Sequence, residues 1–209
     1  MMRIGIAGTQ STEIIAKSVK ETLSDSGFES FHFKNNSKTL TADLVIVLGG
    51  DRGVRNYFHH ALDVDTPVLG ISESESNAFL AQIELKELSM YLKRIKEQNY
   101  IIENVPRIGV KIDGKNVYPV LNDVAVFTSK SATLMEHVLR INDEEVWHDS
   151  SDGVIISTPI GSSAYSMSAG GPVIFQDSNV FGIISVNSLD ITRRPLIVSD
   201  NSLIEIDEI

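Results

Sequence analysis

The chain has 209 residues, 42% hydrophobic and 22% charged, the balance of a globular protein with ample length for a core. A formal net charge of −10 argues against binding nucleic acid by phosphate neutralisation, and the absence of cysteine excludes disulfides and thiolate metal sites. No apolar stretch approaches the ~20 residues of a membrane span, and the opening MMRIGIAGTQ lacks the apolar region of a signal peptide, so a cytoplasmic location is expected.

Arg3 to Ala7 reads as a short strand ending at Gly8. Ser11 or Thr12 can cap a helix in which Ile15, Val19 and Leu23 recur at helical spacing, and Gly27 stops it. Ser30 to Phe33 is a weaker strand. Asp43 to Leu48 is a buried strand running into Gly49–Gly50–Asp51, with a helix through Tyr57, Ala61 and Leu62 after it. Val68 to Ile71 is another strand. Leu85, Leu88, Leu92 and Ile95 mark a further helix. Strands alternating with helices predict a Rossmann-like α/β domain with a parallel sheet, over residues 1–99. Ligands of such sheets gather at the carboxyl ends of strands, where Gly49 to Asp51 would sit. On its own that turn has two readings: Asp51 caps the helix, or backbone N–H groups and a carboxylate serve a phosphate site.

From Tyr100 the helical period fades. Ile108, Val110 and Ile112 alternate with other residues, and Asp113–Gly114 supplies a hairpin turn. Strands are predicted over Val117 to Val126, Leu134 to Ile141, Glu145 to Trp147, Phe181 to Val186, Pro195 to Val198 and Leu203 to Ile206, with a turn at Asn142–Asp143. This predicts a β-rich, sandwich-like domain over residues 100–209. Asn122–Asp123 interrupts the region with two polar residues. The scattered histidines, His32, His59, His60, His137 and His148, lack metal-site spacing.

One stretch stands out, DGVIISTPIGSSAYSMSAGGPV from Asp152 to Val173. A buried-strand candidate, Val154 to Thr158, is cut off by Pro159. Small residues follow, letting a backbone approach a ligand or another backbone closely.

This stretch resembles the signature of the NAD kinase family: Asp-Gly, a strand, Thr-Pro-x-Gly-Ser-x-Ala-Tyr, then Ser-x-Gly-Gly-Pro. Asp152, Gly153, Thr158, Pro159, Gly161, Ser162, Ala164, Tyr165, Ser168, Gly170, Gly171 and Pro172 match as they stand, while Ile160 and Ser163 replace residues that are commonly Thr. The resemblance extends to Leu121–Asn122–Asp123, to Gly49–Gly50–Asp51, to Phe79–Leu80 and to Arg194–Pro195. It departs at Arg52, where the family has glycine, with Gly53 next; at Ser72, in place of Asn; in the acidic link Glu73 to Ala78; and at Ser188–Leu189, in place of Pro-His. The chain stops at Ile209, earlier than most members.

The resemblance implies transfer of the terminal phosphate of ATP, or of polyphosphate, to the ribose 2′-hydroxyl of NAD, giving NADP. Asp51 would be the base or hydroxyl-orienting group, and Gly49, Gly50 and Gly53 would present backbone to phosphates. Arg52 would fill phosphate space or contact a phosphate. Mg²⁺ would arrive with the nucleotide. Asn122, Ser163, Ala164, Tyr165 and Ser168, with Thr158, would bind the adenine end. Asp123 would bind the ribose, and Asp152 would face the rest of the dinucleotide. A homodimer or homotetramer is implied. Arg52, Ser72 and the short C-terminus leave a second reading open, an NAD(P)-binding sensor without turnover.

Overall fold

The structure, a computed structural model, describes residues 2–32, 42–61, 65–73 and 78–207. Phe33 and Leu62, assigned above to a strand and a helix, and residues 74–77 of the acidic link lie outside the described residues. The chain divides into two compact units, one ending at Glu103 and the other beginning at Asn104.

The first unit alternates strands and helices: β1 (Arg3–Ala7), α1 (Glu13–Asp25), β2 (Glu29–His32), β3 (Leu44–Leu48), α2 (Gly50–His60), β4 (Val68–Ser72), β5 (Ile83–Glu84) and α3 (Leu88–Lys96). The strands form one parallel sheet in the order β2-β1-β3-β4-β5. All five residues of β3 are buried, as a strand covered on both faces requires. On one face, Ile4, Ile6, Ile46, Leu48 and Ile71 meet Val19 and Leu23 of α1 and Leu88 and Leu92 of α3. On the other, Val45 and Val47 meet Val54 and Tyr57 of α2. Each such large side chain, fully buried, contributes ~1.5–3 kcal/mol. Gly27, at φ +74°, ends α1 as predicted, with the Phe28 N–H returning to the Leu23 carbonyl.

The sheet order reverses direction between β1 and β3, so their carboxyl ends open a crevice between diverging connections. Ala7 pairs with Val47 there, and the turns after both strands lie side by side.

The second unit has β6 (Lys111–Ile112), β7 (Lys115–Asn116), β8 (Asp123–Phe127), β9 (Met135–Ile141), β10 (Glu144–Ser151), β11 (Gly153–Ser157), α4 (Tyr165–Ser168), β12 (Val180–Val186), β13 (Leu196–Ser199) and β14 (Ile204–Asp207). Two antiparallel sheets, ordered β10-β9-β14 and β13-β12-β11-β8, share a core of Leu139, Trp147, Val154, Ile156, Phe181 and Ile183. Both predicted two-residue turns form. Asp113 and Gly114 lie at φ +49° and +73°, and Asn142 and Asp143 at +53° and +67°. Paired positive φ values suit the twist of a two-residue hairpin.

Two strand predictions need correction. The strand expected over Val117 to Val126 starts only at Asp123: Pro119 has no N–H to donate, and the chain on either side of it makes isolated links, the Val117 N–H to the Val110 carbonyl and an Ile108–Val120 bridge. The strand expected over Glu145 to Trp147 runs on to Ser151. Its polar second half does not show in the pattern, since Asp149 and Ser151 point into the sandwich beside Trp147.

Candidate functional site

The α/β unit's own candidate site lies at the β3–α2 turn. Gly49 is at φ +98° and Gly50 at φ +64°, left-handed values that side chains resist. Gly53 is required for a different reason. A Cβ there would stand 2.1 Å from the Leu48 carbonyl oxygen, so only glycine lets α2 start this close to β3. Arg52 is helical and exposed, so a side chain at the position where the family signature has glycine strains no backbone.

Asp51 does not cap α2. Its Oδ1 accepts the N–H groups of Leu80 (2.8 Å) and Ala81 (2.9 Å), and its Oδ2 accepts that of Phe79 (2.9 Å). Gly70 makes room for this segment, since a Cβ on it would meet Val54 Cγ2 at 2.6 Å and Ala81 Cα at 2.8 Å. Burial is the largest single influence on the Asp51 carboxyl and raises its pKa. The N–H donors of Ala81, Phe79 and Leu80 and the Arg55 guanidinium together outweigh burial, and hold the pKa below the ordinary 3.8. The group is therefore an ionised acceptor at the crevice of the sheet.

In the β-rich unit, antiparallel pairing of β8 and β11 sets Asp123 opposite Ser157. That register brings Asn122–Asp123 to the Thr158–Pro159 turn, 36 residues on in sequence. The Thr158 N–H donates to the Asn122 carbonyl (2.8 Å), and its hydroxyl donates to the Leu121 carbonyl (2.7 Å) while accepting from the Gly161 N–H (3.0 Å). Thr158 is fully buried, so its side chain serves the turn. A Cβ on Gly161 would lie 2.0 Å from the Asn122 carbonyl oxygen, which accounts for glycine there. Asn122 keeps its Oδ1 buried with no hydrogen-bond partner in the structure. Leaving a polar atom in that state costs about 1–3 kcal/mol unless a water or ligand meets it.

The turn continues into the small-residue run. Ser162 is buried, donating to the Pro159 carbonyl (2.6 Å) and accepting the Ile174 N–H (2.9 Å). Ser163 and Ser168 are exposed, and Ala164 has unusual backbone angles, φ −99° and ψ −123°. Tyr165 is half exposed, with its ring stacked on Phe127 at 5.9 Å between centroids. Within this unit, then, Asn122, Asp123, Thr158 and the residues from Ser163 to Ser168 come together. Asp152 lies just before β11, about 20 Å along the strand from Thr158, beside Gly153, which pairs with Phe127, the residue whose ring stacks on Tyr165. Its Oδ2 accepts the Asn187 amide at 2.8 Å.

Sequence reasoning missed the Phe79–Ala81 donors, Arg55, Phe127 and Asn187. Phe79 and Leu80 are shared with the family signature, but nothing local marks their N–H groups as donors. Phe127 and Asn187 carry no local signal.

Comparison with known proteins gives the same picture. A family model for the ATP-NAD kinase N-terminal domain matches residues 7–100, and one for the ATP-NAD kinase C-terminal domain matches residues 121–208. The chain is similar to a NAD kinase of Clostridium perfringens, 37% identical over 180 residues, 83% of this chain and 64% of that protein. A NAD kinase of Clostridium botulinum is 34% identical over 179 residues, 82% of this chain and 62% of that protein. The chain thus spans somewhat less than two thirds of the length of these curated relatives. Among solved structures, a NAD kinase from Archaeoglobus fulgidus in complex with ATP superposes with a TM-score of 0.81 at 27% identity, over 98% of this chain and 80% of that one. A yeast NADH kinase complexed with NADH shares the fold, with a TM-score of 0.79 at 19% identity, over 99% of this chain and 68% of that one. With one family model on each unit and these relatives spanning most of its length, the chain belongs to the NAD kinase family.

Proposed function

We propose that the chain is a NAD kinase that transfers the terminal phosphoryl group of ATP to the ribose 2′-hydroxyl of NAD, yielding NADP. The observation that carries this reading is the ionised Asp51 carboxylate, held at the carboxyl end of β3 beside two left-handed glycines. The ATP complex of the Archaeoglobus relative and the NADH complex of the yeast relative support ATP and a nicotinamide dinucleotide as the two substrates.

Phosphoryl transfer through a loose transition state needs positioning and charge stabilisation more than covalent help. Asp51 suits that need. Its lowered pKa makes it a weak base in the ground state, but Oδ2 accepts a single N–H and keeps capacity for the 2′-hydroxyl. It would orient that hydroxyl and take the proton as the phosphoryl group moves. Gly49 and Gly50 would give the backbone close approach to phosphate, Gly53 lets α2 start against β3, and the Arg52 guanidinium would answer the phosphate charge. Among the described residues there is no group of three metal-ligating side chains. Mg²⁺ would be carried in on ATP, since that ion keeps phosphate oxygens and waters and needs few protein ligands. When bound, it neutralises phosphate charge.

In the β-rich unit, the orphaned Asn122 Oδ1 would accept from the adenine amino group. Asp123 would accept from the ribose hydroxyls, and its charge would disfavour a 2′-phosphate. Ser163, Ala164, Tyr165 and Ser168 would line the adenine end, Thr158 would position Asn122 through its turn, and Asp152 would face the remainder of the dinucleotide. Exposed Val173, Phe175 and Ile191 favour association of copies into a dimer or tetramer. Among the described residues no helix is long and apolar enough to cross a membrane.

The test is NADP formation from NAD and Mg²⁺-ATP, with polyphosphate in a parallel arm, using protein freed of host kinase. Product formation is expected. Calorimetric NAD binding with no product from either donor would replace this reading by the sensor.

A further inference from the structure

The β-rich unit buries one carboxylate with no part in the roles assigned so far. Asp149, on β10, is 5% exposed. Its Oδ2 accepts the Ser185 hydroxyl, and its Oδ1 accepts the Ser188 hydroxyl (2.7 Å) and the Ser150 N–H (2.9 Å). Arg193 Nε lies 3.4 Å from Oδ2, an ion pair outside hydrogen-bond geometry. The same guanidinium sits 4.7 Å over the Trp147 ring, 3.3 Å from Asp190 Oδ2, and donates to the His148 carbonyl. Fully buried His137 stands opposite Asp149 in the β9–β10 register.

A charge taken out of water is costly unless its surroundings answer it, and a chain that retains one uses it to specify a geometry in several attested cases. Here the partners identify that geometry. Ser188 and Arg193 belong to the loop that follows β12, and the Leu189 N–H ties the same loop to the Ser150 carbonyl (2.9 Å). Asn187 opens that loop at φ +52°, and its amide donates to Asp152 Oδ2. Its left-handed backbone angle is one that asparagine adopts more readily than most residues. Asp149 is bonded to the very next residue.

We infer that Asp149 is a positioning residue: through Ser188 and Arg193 it fixes the loop from Asn187 to Arg194, and through the Asn187 amide it aims the Asp152 carboxylate at the dinucleotide. This rests on the assignment of Asp152 given above. The ligand is NAD, and the effect is on its binding.

The test is NAD titration calorimetry on the full chain, with thermal melts to show that each variant is folded. The variants are Asp152→Asn, Asp149→Asn, Ser188→Ala and the two combinations with Asp152→Asn. Asp152→Asn and Asp149→Asn should each weaken NAD binding about fivefold or more, Ser188→Ala by less, and neither Asp149→Asn nor Ser188→Ala should weaken it further once Asp152 is Asn. That loss of effect separates positioning from a merely structural role, which would lower the melting temperature and leave the effects additive. If Asp152→Asn weakens binding but folded Asp149→Asn and Ser188→Ala do not, or if their effects add to it, the inference is overturned alone. If Asp149→Asn does not fold, Ser188→Ala decides. If Asp152→Asn leaves NAD affinity unchanged, the assignment of Asp152 fails, and the inference with it.

Discussion

The Ala81 N–H donates to Asp51 Oδ1 at 2.9 Å, joining the first turn of α2 to a segment 30 residues later. One carboxylate thus both faces the crevice and anchors the chain that enters β5. Substitution at Asp51 should be felt in both places. Asp51→Asn should lower NADP formation by about 10²–10⁴-fold while NAD binding persists, because the role is exerted mainly in the transition state. Amide exchange at Phe79 to Ala81 should quicken as well. Assays of NADP formation with hydrogen exchange on the same preparation measure both effects, and full activity would remove Asp51 from the mechanism.

Arg52 stands in unstrained helix, so its replacement tests charge, with backbone relief excluded. Arg52→Gly should raise the KM for ATP several-fold and cost about 1 kcal/mol of stability through lower helix propensity. A lower KM would identify Arg52 as an obstruction to the nucleotide. Steady-state kinetics at varied ATP distinguish the two.

The glycines of the turn separate two physical demands. Gly53→Ala places a Cβ 2.1 Å from the Leu48 carbonyl oxygen and should be severely destabilising, by more than about 4 kcal/mol, or should prevent folding. Gly50→Ala meets open space at φ +64°, and should cost only the ~1–2 kcal/mol of a left-handed side chain. Chemical denaturation of the two variants should show that order.

Asp123→Asn should weaken NAD binding by about 1.5–3 kcal/mol, the loss of charge-assisted hydrogen bonds to the ribose, with the melt unchanged. Calorimetry with NAD and NADP would also show a smaller preference for NAD.

Asp149 predicts a pH dependence of stability. Burial is the largest influence and raises its pKa; the hydroxyls of Ser185 and Ser188, the Ser150 N–H and Arg193 outweigh it, and the folded value lies below the ordinary 3.8. A depressed folded value stabilises fully above the unfolded pKa, and that stability disappears as pH falls through the folded value. Asp149→Asn should therefore flatten the acid limb of the stability curve below about pH 5, where an unfolded carboxyl begins to bind protons. An unchanged acid limb, measured by urea unfolding across pH, would remove Asp149 from this role.

Much of this molecule is written locally. The run from Leu44 to Leu48 is apolar throughout because helices cover both faces of its sheet, so its burial is legible from residue types alone. Asp113–Gly114 and Asn142–Asp143 read as hairpins because few other pairs adopt two left-handed residues in succession. The Thr158 to Pro172 run reads as a binding segment because its small residues permit close backbone approach, and Gly161 against the Asn122 carbonyl is such an approach.

Where hydrogen-bonding capacity is spent was decided only by the tertiary structure. Asp51 has the spacing of a helix cap, yet its oxygens go to Phe79, Leu80 and Ala81, which meet it only because parallel β3, β4 and β5 lie in register. Thr158 looks like a ligand contact, yet its hydroxyl closes a turn onto Leu121 once β8 pairs with β11. Asp149 sits in a polar run that suggests surface, and it is buried because Ser185, Ser188 and Arg193 converge on it from elsewhere in the chain. Local sequence determines which backbone conformations are cheap. Partners far apart in the chain are chosen by sheet order and register, which depend on the free energy of the whole packed core.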